Sequence, residues 1–519
     1  MDLASNPIVL AAIIGLLLCA FVVSHTRLRN KKLPPGPSPL PIIGNLHQLP
    51  LEYKHQVFAE WAKKYGDIFY LNVFHKPTVV ISSVQVAHDL LEKRGSKYSD
   101  RPRMVMLNEI MGFDSVLSIL PYGDQWRLHR RWFQSAFQAN TAEQNYRSLQ
   151  ERGVRRLLSV LLDAPADFML HIKRYSGSAM MEIAYGHPSS SPDVDFMDWA
   201  DKLLTETFEL GSAGSTLIDF FPILKNIPSW MPGNGLKRRA CNLAAMVRIM
   251  LDEPYERVQR ALAAGSTQPS FLSELLDEYS KKGSITLEDE YNLKGAAAMV
   301  YIAGTDTTIS VMMSFVLAMV LYPDVYRKAQ AEISRVVEQS RLPVFEDRSS
   351  MPYLECVLKE VYRWGCPLPF VIPHRLLEDD EYRGYHLPAG SLIIPNVWAM
   401  FRDPDLFSDP DRFMPERFEE FDFSSNPTVP DPSKAAFGFG RRFCPGRNFG
   451  DSTVWLFAAS VLSTMDICKA KDEFGREVTP KPLFSDAFVS HPLPFKCDFK
   501  PRSLQAIETI VSSSKTDIA

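Results

Sequence analysis

The sequence predicts a mainly α protein with small β-sheets. Long helical patterns fill most of the chain beyond residue 57, while strand patterns are few and short. One helical pattern, residues 287–321, is apolar almost all round between residues 296 and 320, so it is expected to run through a core. Nothing inside the chain has the composition of a linker. One large domain after an N-terminal appendage therefore fits its 519 residues better than several domains.

The first element is not part of that domain. Residues 7–23 are uncharged and rich in Leu, Ile, Val and Ala. A helix of about 17 such residues is just long enough to cross a bilayer. A cleaved leader would want positive charge ahead of the apolar run, where only Asp2 stands. Arg27, Arg29, Lys31 and Lys32 follow it, which places the following chain in the cytosol. Pro34, Pro35, Pro37, Pro39 and Pro41 come next and force an extended, stiff connector. The expected division is a membrane anchor at 1–25, a basic and proline-rich hinge at 26–46, and one domain at 47–519.

Within the domain, helices are expected at 57–64, 84–93, 124–137, 142–162, 193–210, 235–264, 271–279, 287–321, 324–338, 353–364 and 450–465. Strands are expected at 68–73, 78–82, 374–377, 382–385 and 391–395. Thr286 can cap the long helix and Pro323 can stop it. A second membrane span is the rival reading of that helix. Against it, Gly304-Thr-Asp-Thr-Thr308 puts a carboxylate and hydroxyls at its centre.

Composition narrows the function. The chain is 46% hydrophobic and 23% charged, which is ordinary for a globular protein. A net charge of −4 gives no basic excess for nucleic acid. The seven cysteines are odd in number and irregular in spacing, as reduced core thiols facing the cytosol would be.

Cys444 stands apart from the rest. It lies in Phe437-Gly-Phe-Gly-Arg-Arg-Phe-Cys444-Pro-Gly446 with no other cysteine nearby, so a zinc or iron–sulfur site would lack partners. The loop suits a single thiolate. Arg441, Arg442 and the start of a following helix are expected to lower the thiol pKa. Gly440 and Gly446 are expected to permit a tight hairpin around it.

Three further patterns carry chemistry. In Ala303-Gly304-Thr305-Asp306-Thr307-Thr308, Gly304 weakens the helix locally, and the acid Asp306 and alcohol Thr307 can hold a water and pass a proton. The alternative is a kink with the threonine bonded back to its own helix. Glu360 and Arg363 lie three apart and can pair on one helix face. Trp126 and Arg130, four apart, also share a face and suit a carboxylate ligand.

Taken in their order along the chain, from Trp126 to Gly446, the four patterns resemble those of the cytochrome P-450 family, in particular its fungal, membrane-bound members of secondary metabolism. The resemblance runs from the proline hinge to Gly446. It implies the cytochrome P-450 fold, with haem between the long core helix and the cysteine loop, and a haem-thiolate monooxygenase using O₂. The cofactor would be haem b (iron protoporphyrin IX), with Cys444 as axial ligand. Trp126, Arg130, His374 and Arg442 would hold the propionates, the choice between His374 and Arg375 being open by one residue. Asp306 and Thr307 would deliver protons. Arg417, in Phe413-Met-Pro-Glu-Arg-Phe418, would join Glu360 and Arg363 in a structural triad.

Electrons would come from NADPH–cytochrome P-450 reductase. The protein would sit in the endoplasmic reticulum membrane with its catalytic domain in the cytosol. The pocket is expected from residues 104–120, 205–217, 299–307, 367–372 and 487–489. The apolar stretch 218–232 is expected at the membrane. A small apolar substrate follows, a terpenoid or related secondary metabolite, with fatty acid, indole or polyketide oxidation open. A reductase-independent isomerase or dehydratase is the second class.

Overall fold

A computed structural model describes residues 32–188, 193–211, 216–231, 234–338 and 340–515. The expected anchor and the basic residues Arg27, Arg29 and Lys31 lie outside the described residues. The longer helices are α1 (Lys54–Tyr65), α2 (Asp124–Phe137), α3 (Ala139–Asp163), α4 (Phe168–Tyr185), α5 (Val194–Gly211) and α6 (Gly235–Ala263). They continue with α7 (Phe271–Lys282), α8 (Leu287–Leu321), α9 (Pro323–Val336), α10 (Pro352–Gly365), α11 (Arg447–Thr464) and α12 (Leu504–Lys515).

The sheets are small. Strands β1 (Ile68–Val73), β2 (Lys76–Ile81), β3 (His374–Arg375) and β6 (Leu392–Pro395) form one sheet in the order β1-β2-β6-β3. β4 (Asp380–Tyr382) and β5 (Tyr385–Leu387) form a hairpin. β7 (Met465–Lys471) is flanked by β8 (Glu477–Val478) and β9 (Cys497–Pro501). The strand expected at 382–385 is instead the turn of the β4–β5 hairpin. Arg383 and Gly384 both have positive φ there, as a two-residue turn of that hand requires.

α8 organises the rest. Thr286 accepts a hydrogen bond from the Asp289 amide, and the Asp289 carboxylate accepts one from the Thr286 amide, closing a capping box. Pro323 opens α9 directly after α8 ends. Most of α8 is buried in the protein, so its apolar length belongs to the core and not to a bilayer. Helix α4, which no sequence pattern announced, packs along it. Ser176 Oγ of α4 donates to the Thr305 carbonyl at 3.0 Å.

Gly304 has a different role from the one expected. α8 is unbroken through it. A Cβ at Gly304 would sit 2.1 Å from Met180 Sδ of α4. The residue is small because two helices meet there.

The proline-rich segment is docked and extended. The Pro35 carbonyl accepts from the Tyr70 amide of β1 at 2.9 Å, and Asn45 Nδ2 donates to the Pro37 carbonyl.

These packing facts set opposing effects at Gly304. Alanine gains about 1 kcal/mol of helix propensity, but overpacking costs about 1–3 kcal/mol. Gly304→Ala is therefore expected to lower the thermal unfolding midpoint in the natural background. In a Met180→Ala background the same change should be neutral or stabilising.

Candidate functional site

An apolar cavity lies between α8 on one side and the cysteine loop and α11 on the other. Met299, Val300, Ala303, Gly304, Thr307 and Thr308 face it from α8, and Cys444, Gly446 and Phe449 from the opposite wall. Trp126, Arg130, Phe133 and Phe137 line it along one face of α2, as their spacing requires. Four of the expected site residues thus meet with Cys444 at one cavity: Trp126, Arg130, Thr307 and Arg442.

The cysteine loop is held from behind. The Cys444 amide donates to the Phe437 carbonyl at 2.9 Å. The left-handed residues are Gly438 and Gly440, whereas Gly446 has φ −86° and caps α11. Gly440 is doubly constrained, since a Cβ there would lie 1.9 Å from the Leu91 carbonyl oxygen.

The expected charge environment of the thiol is also revised. Burial pushes the Cys444 thiol above its ordinary range, and the Gly446 amide, Arg130 and Arg447 pull it down. Arg441 and Arg442 point elsewhere. Arg441 donates to the Tyr122 hydroxyl. Arg442 donates to the Ser99 and Leu120 carbonyls and stacks over Trp126, 4.7 Å from the ring centroid. A thiol so buried ionises when a metal cation sits at the sulfur.

Arg101, Arg130 and Arg442 all line the cavity, and burial pushes each guanidinium pKa down. Their bonds go to carbonyls: Arg101 to Ser118, Ile372 and Pro373, and Arg130 to Phe443. Among the described residues no carboxylate makes an ion pair with any of the three. His374 stands just behind this wall, outside the lining. Its Nδ1 donates to the Tyr98 carbonyl at 2.7 Å, and its buried Nε2 has no partner among the described residues. Arg375 is engaged by Asp100, with Nε 2.5 Å from the carboxylate.

Asp306 and Thr307 diverge, because adjacent helical residues point about 100° apart. Thr307 faces the cavity, and its hydroxyl donates back to the Ala303 carbonyl at 2.7 Å. Asp306 faces the C-terminal loop, where its carboxylate lies 2.9 Å from His491 Nε2.

The triad assembles as expected. Glu360 and Arg363 are fully buried and joined by two bonds of 2.7 and 2.8 Å. Arg417 Nε reaches Glu360 at 3.3 Å. Arg363 also donates to the Phe401, Pro410 and Arg412 carbonyls, and Glu360 accepts from the Met414 amide. Together these bonds fix the long coil between residues 401 and 417.

The model of the family described as Cytochrome P-450 matches residues 34–499. The chain belongs to the cytochrome P-450 family. It is 47% identical to cytochrome P-450 monooxygenase 176 of Postia placenta over 516 residues, 99% of each chain. It is 37% identical to a cytochrome P-450 monooxygenase of Coprinopsis cinerea, over 100% of this chain and 98% of that one. It is also 37% identical to tryptamine 4-monooxygenase of Psilocybe cyanescens, over 97% of this chain and 99% of that one. It is a cytochrome P-450 monooxygenase, and the family implies a haem-thiolate cofactor.

The cavity fits that cofactor on its own chemistry. It offers one thiol, three guanidiniums that bond to carbonyls and make no ion pair with a carboxylate among the described residues, and largely apolar walls. A planar apolar dianion that carries a metal supplies what each of these lacks. Arg101 went unnoticed in the sequence. Its only signal was a charged residue, Asp100-Arg101-Pro102, just ahead of an apolar stretch.

Breaking a buried ion pair from one side is expected to cost about 3–5 kcal/mol. Glu360→Gln removes the charge that Arg363 and Arg417 share, so chemical denaturation should show a loss of that order. Replacing an exposed acid such as Glu60 should leave the midpoint nearly unchanged.

Proposed function

We propose that this monooxygenase binds haem b through Cys444 and hydroxylates a small neutral apolar substrate, a terpenoid or related secondary metabolite. The observation that carries the reading is the single apolar cavity that brings Cys444, Thr307 and the buried arginines together. Cys444 would supply the thiolate that holds the iron. Arg130, Arg442 and Trp126 hold the propionates, joined by Arg101. His374 would join them by donating from Nε2 once a propionate beside it holds the ring as imidazolium, and Arg375, already bound to Asp100, does not take part. Bound haem supplies the oxygen activation and the oxidation itself.

The protein's own part is orientation, exclusion of water and proton movement. The Thr307 hydroxyl, at the cavity wall, would hold a proton beside the reacting centre, and Asp306, turned away toward His491, would resupply protons from the C-terminal-loop side of the helix. Glu360, Arg363 and Arg417 act structurally, by fixing the coil under the cysteine loop.

Substrate class follows from the lining. No Asp or Glu is among the residues around the cavity. A cationic amine would find no carboxylate side chain among the lining residues. This favours neutral terpenoids over an amine of the kind named for the Psilocybe relative, and it leaves fatty acid and polyketide substrates as alternatives.

Electrons come from NADPH–cytochrome P-450 reductase, for which the exposed Arg127, Arg131 and Arg441 give a basic approach to the cysteine side. Residues 1–25 anchor the chain in the endoplasmic reticulum membrane, with 26–46 as hinge and 47–519 as the cytosolic domain. The exposed side chains of Ile223 and Trp230, 73% and 76% accessible, support a membrane-facing surface.

Reduced protein with CO should give the red-shifted Soret band of a thiolate haem. Persistence of that band in Cys444→Ser would refute the ligand. Thr307→Ala should still take electrons but release peroxide in place of product, and unchanged coupling of NADPH to product would remove its proton role. In a ligand panel, neutral sesquiterpenes or diterpenes should shift the haem toward high spin. A shift with tryptamine alone would reverse the substrate reading.

A further inference from the structure

Tyr362 reaches the cavity wall from α10 and is buried there. It stands between Glu360 and Arg363, which turn to the coil at 401–417, whereas Tyr362 turns to the cysteine loop. Its two ends touch different limbs of that loop. The ring packs edge-on against Phe437, with centroids 5.5 Å apart and planes at 62°. Phe437 opens the loop, and its carbonyl accepts the Cys444 amide. The Tyr362 hydroxyl donates to Asp451 Oδ1 at 3.2 Å. Asp451 lies one turn into α11, on the chain that leaves the loop. One side chain thus spans the entering and the leaving limb.

The partner of the hydroxyl is itself fixed. Arg348 donates to Asp451 Oδ2 at 2.7 Å and holds Glu355 with two bonds of 2.7 and 3.1 Å. Glu355 and Tyr362 share a face of α10, so the network closes on the helix it starts from. Burial and the Asp451 charge hold the Tyr362 phenol pKa well above its ordinary value, so the hydroxyl keeps its proton and donates. Leucine or phenylalanine would fill the same apolar wall with no polar group to satisfy. Between the two contacts lie Gly438 and Gly440, both left-handed, which give the loop little stiffness of their own.

We infer that Tyr362 is a positioning residue for Cys444: by bridging Phe437 and Asp451 it fixes the spacing of the two limbs, and with it the bond from the Cys444 amide to the Phe437 carbonyl and the place of the sulfur. The task of that sulfur rests on the haem reading above; the brace itself does not.

Two measurements on the holoprotein test it. Hydrogen–deuterium exchange reads the Cys444 amide, and the reduced CO spectrum reads the thiolate. Tyr362→Phe keeps the ring and removes the hydroxyl. It should speed exchange in the peptide 437–446 about fivefold, and the red-shifted CO band should decay about fivefold sooner, the factor for one lost hydrogen bond. Amides of α5 and α6 should keep parental rates, which a general loss of stability would not allow. Asp451→Leu should be at least as fast, and it keeps the test open if Tyr362→Phe loses haem. Adding Tyr362→Phe to Asp451→Leu should change nothing further, because the bond is already gone. Asp451→Asn keeps a partner for the hydroxyl and should stay within about twofold of the parent.

Parental exchange in Tyr362→Phe would overturn the inference, as would equal acceleration in α5 and α6 or an additive double variant. Asp451→Asn as fast as Asp451→Leu would assign the effect to the Arg348–Asp451 charge pair and overturn it too. Faster exchange beside a CO band as lasting as the parent's would separate the brace from the sulfur, with the same result. A parent protein that gives no red-shifted band would overturn the haem reading, while the exchange rates would still decide the brace.

Discussion

Positive charge gathered around one cavity, with no ion-paired carboxylate among the described residues, is the constraint on which this structure turns, Asp100 acting on Arg101 and Arg442 only at a distance. Arg101, Arg130 and Arg442 surround one cavity, bonded to carbonyls and to no carboxylate among the described residues. Each unbalanced charge in such a place costs several kcal/mol. On the proposed reading a bound dianion would complete the set, and cofactor binding and folding stability would then be linked. Cys444 obeys the same logic with opposite sign, since a buried thiolate requires a cation at its sulfur.

The remainder of the molecule serves to hold these groups in place. α8 forms one wall and is itself fixed by the close approach of α4 at Gly304. The coil between residues 401 and 417 is pinned by the Glu360–Arg363–Arg417 cluster, which is balanced internally and needs no ligand. The protein thus contains two buried charge clusters of different kinds. One is complete and rigidifies a loop; the other makes no ion pair among the described residues and, on the proposed reading, would bind the cofactor.

Much of this was legible in the sequence where a local signal existed. Thr286 and Pro323 mark the ends of α8, the spacing of Trp126 and Arg130 gives their shared face, and the cysteine loop announces itself. What escaped depends on partners distant in sequence. α4 carries Ser176-Gly177-Ser178 at its centre, which reads as a break. In the fold, Ser176 bonds across to α8, and Gly177 lets Met197 and Thr305 approach. Gly304 looked like a weakened helix and is instead a contact point. Asp306 and Thr307 looked like one unit, yet the helical turn sends them to different surfaces. Arg441 and Arg442 lie nearest to Cys444 in sequence, whereas Arg130 and Arg447 act on its sulfur in space.

The central claim is that the cavity is built for the two carboxylates of its cofactor. Titrating the haem-free protein with haem and with haem dimethyl ester tests it most directly, because the ester keeps the iron and the ring and removes both charges. The account predicts that the ester binds at least about 100-fold more weakly, since three buried guanidiniums stay unpaired. Equal affinity for the two would contradict it.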